Sequence, residues 1–470
     1  MTRITLIAVI TASTILAARK PAPKPNVPVP TTFRNQPADA EGEAVEQWWK
    51  AFGDPQLDEL IARAERANLD VRKAASRLAE AEAIRGGSRS ALIPEIGSST
   101  SLGNLRGGLN QGVIKATGAP GGSQGGSFVS AFETSVISSG FTMRWEADVF
   151  GGLRNALRAS TADAQAAVVN IRDVRSIVRA EVARNYIEMR AAEDQMDIAQ
   201  ANIASEKDLL DLIRARADAG LASDLDLQRQ VAQLASVRAT LADFDTLRLL
   251  AAHRVSVLTG EDPAALLDQL AASRKPLDIP AVPTAIPSEL LKRRPDIRRA
   301  EAQITAAFAR VGAARADLYP KFVFTGLSGR QATDFSGLTV GAGNFFSVGP
   351  GISLPIFNLG RVRSQIGVRG AQLEQALRSY EHDVLSAFEE TENAFVQRDR
   401  AAQKSHELEV GLTAARRSVE LAQELYVRGL SDFLTVLDAQ RSQFQMEREL
   451  AASRASILRS SIALSKALGN

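Results

Sequence analysis

Two kinds of periodicity run along the chain, and each occurs in both halves. In the second half Leu373, Leu377, Tyr380, Val384, Phe388 and Phe395 recur at steps of four, three and seven, with Arg, Glu and Gln filling the gaps. A seam of this kind predicts a long helix packed in coiled-coil fashion. Elsewhere the pattern has a period of two. Phe141, Met143, Trp145 and Ala147 share one face of an extended segment, and Thr142, Arg144, Glu146 and Asp148 share the other. Phe346, Val348, Ile352, Leu354 and Ile356 repeat this against Ser347, Gly349, Gly351 and Ser353. These segments predict strands with one apolar and one polar face, which suits either a membrane barrel or a two-sided soluble sheet. The strands that begin at Ile96 and Phe322 alternate less cleanly.

These patterns place helices near 55–92, 153–219 and 223–258 in the first half, and near 288–318, 361–428 and 431–468 in the second. Strands are expected near 96–106 and 138–148, then near 321–331 and 346–356. Pro94 and Pro320 follow the first helix of each half, where a residue without an N–H stops helical continuation. Gly220-Leu221 and Gly429-Leu430 mark tight breaks, because Gly ends a helix at low cost. Ser223 and Ser431 suit the caps of the helices that follow.

The halves are related in sequence. Asn68-Leu69-Asp70-Val71-Arg72-Lys73-Ala74 matches Arg294-Pro295-Asp296-Ile297-Arg298-Arg299-Ala300 at a shift of 226 positions, and Ile93-Pro94 matches Tyr319-Pro320 at the same shift. Val149-Phe150 with Arg154 matches Ile356-Phe357 with Arg361 at 207, and Gly220-Leu221 matches Gly429-Leu430 at 209. An internal repeat of this kind gives a first structural unit over 45–275 and a second over 276–470, each read as helix, strand, strand, helix.

The amino terminus adds a location. Arg3 precedes an apolar run from Ile4 to Leu16, long enough for a signal segment and too short to span a bilayer. A signal peptide is therefore expected over 1–18. Leu16-Ala17-Ala18-Arg19 is built like a lipoprotein box with Arg19 where Cys is expected. The Pro-rich stretch over 19–44 favours an extended tether. No later segment has the uninterrupted apolar length of a membrane helix, so a barrel is the remaining route into a bilayer. Four strands cannot close one, and an open edge in hydrocarbon leaves backbone groups unpaired. Several copies must share the sheet, and both eight and twelve strands are permitted numbers.

Composition narrows the chemistry. Lys and Arg number 56 against 54 Asp and Glu, with no basic stripe, so nucleic acid is not an expected partner. Aromatic residues make up 5%, which fits long helices better than large globular cores. There is no Cys, hence no disulfide and no thiolate metal site. His253, His382 and His406 are far apart in expected helices, and His382-Asp383 point about 100° apart on theirs. No catalytic site, cofactor or metal follows from these residues. The Gly-rich stretch from Gly103 to Gly126 has no GxGxxG opening a helix, so it reads as an exposed loop. A shorter equivalent is expected around Gly337 to Asn344.

Three segments carry a family resemblance. Trp48-Trp49-Lys50-Ala51-Phe52-Gly53-Asp54-Pro55-Gln56-Leu57 with Leu60-Ile61, Pro287 to Ile297 with Ala300-Glu301, and Tyr426 to Arg441 together resemble TolC-like outer-membrane factors of the NodT and OprM kind. The resemblance covers nearly everything from residue 45 onward. It implies a homotrimer whose twelve-stranded barrel in the outer membrane continues into a twelve-helix α-barrel across the periplasm. The implied function is a passive gated duct of a tripartite efflux pump, with a periplasmic adaptor and an inner-membrane transporter of the RND type as partners and outer-membrane lipid around the barrel. Many members carry a lipidated Cys at the place of Arg19. The alternative is a periplasmic adaptor or a structural coiled-coil protein, which would lack paired strands in both repeats.

The resemblance also assigns residues. Leu434, Asp438 and Arg441 lie four and three apart on one helix face, and an isolated helix would pair Asp438 with Arg441. Facing a tunnel, symmetry would turn them into three rings, and the family's periplasmic gate falls on these positions. The adaptor-contacting tips fall on Gly220, Leu221, Ser223, Asp224, Gly429, Leu430, Ser431 and Asp432.

Overall fold

A computed structural model describes residues 21–23, 25–37, 40, 47–108, 131–271, 274–335 and 338–469. The expected signal segment over 1–18, Arg19, 109–126 of the first Gly-rich stretch and Gly337 of the second lie outside the described residues. After a short 3-10 helix, Trp48–Phe52, come α1 (Pro55–Ala67), α2 (Leu69–Ser90), β1 (Glu95–Gly108), β2 (Ala131–Ala147), α3 (Gly152–Asp218), α4 (Asp224–Leu258) and α5 (Leu267–Ala271). The second half supplies α6 (Pro287–Arg293), α7 (Pro295–Ala316), β3 (Lys321–Phe335), β4 (Leu338–Ser353), α8 (Leu359–Val427) and α9 (Phe433–Ala467). The chain is mainly helical with one small sheet. It packs as two compact units that do not follow the sequence halves. One gathers 81–163 and 304–375; the other gathers 24–80, 164–303 and 376–470.

Both first helices differ from expectation, since each is broken in two. Asn68 leaves the helical conformation, and its side-chain oxygen accepts from the backbone N–H groups of Asp70 and Val71 at 2.8 and 3.2 Å, capping α2. Arg294 takes the same place before α7, where Pro295 cannot supply a helical N–H. Asn68 and Arg294 are equivalent repeat positions, and both reach the end of a long helix. Asn68 Nδ2 donates to the Leu258 carbonyl at 2.8 Å, and Arg294 donates to the Ala467 carbonyl at 3.2 Å. Gly260 and Gly469, at φ +81° and +84°, lie against these same two corners, so close that a Cβ would meet backbone at 2.7 and 2.9 Å. The duplication therefore persists at the level of single contacts.

The WWKAF segment has a packing role. Trp48, Trp49 and Phe52 are buried with Leu57, Leu60, Ile61 and Ala64 of α1, whose spacing puts them on one helix face. Asp54 caps α1 through the Gln56 N–H at 2.9 Å and accepts a bond from the buried Tyr186 hydroxyl of α3. Along α8, the expected seam is deepest at Val384 and Phe395, with Tyr380 and Phe388 packed against that cluster.

Within the Pro-rich stretch, the described residues 25–37 form no helix or strand but are packed at Phe33, which composition alone could not reveal. Phe33 is 5% exposed and sits between Phe388 and Phe395, with ring centroids 6.3 and 5.9 Å away. The Glu392 carboxylate accepts from the Arg34 N–H at 2.7 Å and from the Asn35 side chain at 2.7 Å. Phe33→Ala removes the buried ring, a loss of about 3 kcal/mol or more for aromatic truncations. The variant is expected to be cut rapidly by trypsin at Arg34, a bond that stays protected in the parent; time-resolved digestion with mass spectrometry checks this.

The strands run longer than expected, and β4 takes in 338–344, most of what was expected as a loop. Pairing explains this, since Leu338, Thr339, Ala342, Gly343 and Asn344 all have partners on β3 despite the low strand preference of Gly and Ala. The sheet order is β1-β2-β3-β4, antiparallel throughout. Register puts Ile96, Leu102, Ile137, Phe141, Met143, Trp145, Phe322, Phe324, Phe346, Val348 and Ile352 on one face. Many of these, Phe141 and Phe346 among them, are exposed, so this face needs an apolar surrounding. The opposite face carries Thr142, Arg144, Glu146, Thr325, Gln331 and Ser347. Trp145 stacks on Phe324 at 5.6 Å and donates to the Leu92 carbonyl at 3.0 Å, while Phe150 stacks on Tyr319 at 4.6 Å. Aromatic rings thus gather near the strand ends, Trp145 and Tyr319 among them.

Candidate functional site

The two long helical hairpins turn in the same way. At the end of α3, the Leu221 N–H reaches back to the Arg216 carbonyl at 2.7 Å and the Gly220 N–H to that of Ala217 at 2.9 Å. At the end of α8, Leu430 bonds Leu425 at 2.9 Å and Gly429 bonds Tyr426 at 3.0 Å. Both glycines have positive φ, +68° and +70°, so each helix ends in a Schellman motif that needs a left-handed residue. The motif exposes the following side chain, and Leu221 and Leu430 stand out into solvent.

The caps differ between the hairpins. Ser223 caps α4 in a reciprocal capping box with Asp226, as expected, and Asp224 opens the helix beside it. Ser431 does not cap α9. Asp432 does, accepting from the Thr435 N–H at 3.0 Å and from its hydroxyl at 2.7 Å. A carboxylate offers a charged acceptor to the positive end of the helix, and it displaces the neighbouring hydroxyl from that role.

Along α9, Phe433, Val436, Leu437 and Gln440 are buried, and Leu434, Asp438 and Arg441 form an exposed stripe beside that buried face. The structure thus brings the three expected gate positions onto one surface, with Leu434 42% exposed. It does not form the intrahelical Asp438–Arg441 pair. Arg441 Nε instead donates to the side-chain oxygen of Gln233 in α4 at 2.8 Å. Asp438 has no hydrogen-bond or ion-pair partner among the described residues, so its carboxylate remains available to a second molecule.

Behind Gln233 lies a group that sequence reading missed. Glu206 of α3 is 1% exposed, and its carboxylate accepts from the Gln230 and Gln233 side chains. A chain of contacts therefore links α3, α4 and the Arg441 of α9. Nothing in the sequence flags it, because a Glu in a charged helix normally faces water. Burial pushes the Glu206 carboxyl up, against the pull of the two amides and of Arg441. The folded state then holds a proton that the unfolded chain has already released. The resulting stability is full below the ordinary carboxylate range and is lost as pH rises through the folded value. Glu206→Gln should melt a few degrees higher than the parent at pH 8, with the difference vanishing towards pH 4; thermal melts across that range test this.

Comparison with known proteins follows from this geometry. A family model described as outer membrane efflux protein matches residues 60–261 and 286–470. The chain is 31% identical over 474 residues to the pyoverdine export outer membrane protein OpmQ of Pseudomonas aeruginosa, covering 98% of this chain and 96% of that one. It is 32% identical to the toluene efflux pump outer membrane protein TtgF of Pseudomonas putida, over 90% of this chain and 85% of the relative. Among solved structures, the outer-membrane channel OprN superposes with a TM-score of 0.85 at 30% identity, covering 95% of this chain and 98% of OprN. The adaptor or fibrous coiled-coil alternative falls with these matches.

Proposed function

Because this chain belongs to the outer membrane efflux protein family and is an outer-membrane efflux channel component, we propose that three copies build one gated duct and that Leu434, Asp438 and Arg441 close it. The observation that carries the reading is the open sheet. Among the described residues β1 pairs only with β2, and β4 only with β3, so each copy presents two free edges beside an exposed apolar face. In hydrocarbon, each unpaired backbone group costs several kcal/mol, so the edges must meet those of other copies. Three copies give twelve strands, an even number within the bacterial range, and the four long helices of each give a twelve-helix α-barrel. Its two repeats, 45–275 and 276–470, then supply equivalent wall segments.

The gate follows from the same symmetry. The exposed stripe of α9 faces the axis, where three Leu434 side chains meet and each Asp438 carboxylate pairs with Arg441 of the next copy. Gln233, backed by Glu206, holds Arg441 in position. Around the gate, Gly220, Leu221, Ser223, Asp224, Gly429, Leu430, Ser431 and Asp432 form the surface that meets a periplasmic adaptor, and an RND-type transporter in the inner membrane supplies the energy. The protein itself is a passive conduit with no catalytic step. Native mass spectrometry of the detergent-solubilised protein tests the stoichiometry: a threefold mass is expected, and a monomer overturns it. Photocrosslinkers at Leu221 and Leu430 test the tips, and failure of both to capture an adaptor in cells removes that role.

A further inference from the structure

The gate stripe continues up α9 beyond Arg441. Steps of four and three lead from Leu434, Asp438 and Arg441 to Gln445, Arg448, Ala452, Ala455 and Arg459, which share one face of the helix. Beside that upper stretch lies a cavity of about 670 Å³ between α3, α4 and α9, a volume suited to a drug-sized ligand. Its apolar part comes from Phe244 and Leu247 of α4, Phe444 of α9, and alanines of α3 and α9.

One cation in this cavity lacks a partner of its own. The Arg448 guanidinium lies over the Phe244 ring at 5.1 Å and the Phe444 ring at 5.6 Å, held by both π faces. It has no ion-pair or hydrogen-bond partner among the described residues, and its Nε is enclosed. Two carboxylates line the same space, but both are engaged: Glu188 with Arg184 at 3.1 Å, and Glu449 with Gln445 at 2.9 Å and Lys404 at 3.8 Å. Arg459 adds a second cation at the rim. On the α3 wall, Gln195 is 9% exposed and donates to the Arg448 carbonyl at 2.8 Å, while its own side-chain oxygen is enclosed without a partner. An arginine fixed between two rings without a counter-ion of its own is a cation that an anionic group could meet.

We propose that this cavity is a cargo-contacting site for an amphipathic anion, a flat apolar or aromatic body carrying one sulfonate, carboxylate or phosphate. The anionic group meets Arg448, the apolar body lies against Leu247 and the two phenyl rings, and a hydroxyl or N–H on the body satisfies Gln195. The inference rests on the duct reading for its position, since the cavity shares the stripe that carries the gate. It names a chemical preference which that reading lacks. Three copies would place three such sites in a ring above the constriction.

Naphthalene-2-sulfonate is a suitable probe because its own fluorescence reports binding. Anisotropy titration of the purified full-length protein in detergent should show saturable binding. Arg448→Gln should weaken it about tenfold or more, as expected for loss of a charge-assisted contact. Arg448→Lys, which keeps the charge and loses the flat stack, should fall between the two, and Phe444→Leu should weaken binding with the charge intact. Melting curves establish that each variant is folded. Equal affinity in parent and Arg448→Gln, absence of saturable binding in the parent, or equal affinity for 2-naphthylmethylammonium would each overturn the proposal. Conductance of the same preparation in planar bilayers is read separately. A conducting parent without binding removes this site and leaves the duct, whereas binding in the parent together with no conductance even when Leu434 and Asp438 are both replaced by Ala removes the duct and leaves the site.

Discussion

Replacing Leu434 and Asp438 together by Ala is expected to raise the single-channel conductance of the reconstituted protein several-fold and to lengthen its open time. The expectation has two parts. Leu434 is exposed at 42% in a single chain, an unfavourable place for a leucine that no other copy covers. In the proposed assembly its loss would remove the apolar plug. Asp438 has no hydrogen-bond or ion-pair partner among the described residues, so its removal should leave the fold of each chain intact. Asp438→Ala alone should give part of the effect. Conductance equal to the parent in a correctly assembled double variant contradicts the gate.

The second large effect concerns two glycines that face one another across β2 and β3. Gly140 pairs with Gly329, and the backbones approach closely enough that a Cβ on Gly140 would lie 2.4 Å from the Ser328 carbonyl oxygen. On Gly329 a Cβ would lie 2.4 Å from the Ser139 oxygen and 2.7 Å from Gly140 Cα. These are backbone atoms in a hydrogen-bonded ladder, and they can move only if the strands separate. Separation exposes donors and acceptors inside the membrane, where each costs several kcal/mol. Gly329→Val and Gly140→Val are therefore expected to abolish recovery in the outer-membrane fraction. Gly343 and Gly349 lie in the same sheet with open space where a Cβ would be. Valine there should leave recovery near the parent level, as quantitative immunoblotting of fractionated cells will show.

The sequence was most informative where a period was long or strict. The alternation from Phe141 to Ala147 predicted a strand and its two faces, and the Leu373 to Phe395 seam predicted α8, because burial of one face repeats the same choice many times. Gly220 and Gly429 were legible as helix ends since the left-handed turn restricts the residue that can occupy it. The missed features depend on single contacts between distant segments. Asn68 breaks a helix because its amide finds the Leu258 carbonyl, and no local pattern announces that partner. Asp432 takes the cap from Ser431 through one stronger acceptor. Phe33 reads as part of a Pro-rich tether until Phe388 and Phe395 are seen on either side of it. Glu206 was invisible for the same reason, being an ordinary helical residue whose burial is decided by Gln230 and Gln233. At the gate, spacing put three side chains on one face, but their pairing was decided by Gln233.

The account depends on β1 of one copy meeting β4 of the next. This chain has no Cys, so pairs introduced into β1 and β4 report without background. With one cysteine fixed at Val348 and others moved along Ile96 to Leu102, oxidation of outer membranes should give disulfide-linked dimers and trimers on denaturing gels, recurring at alternate β1 positions. Links confined within single chains, or none at any β1 position in protein recovered from the outer membrane, would contradict a barrel shared between copies.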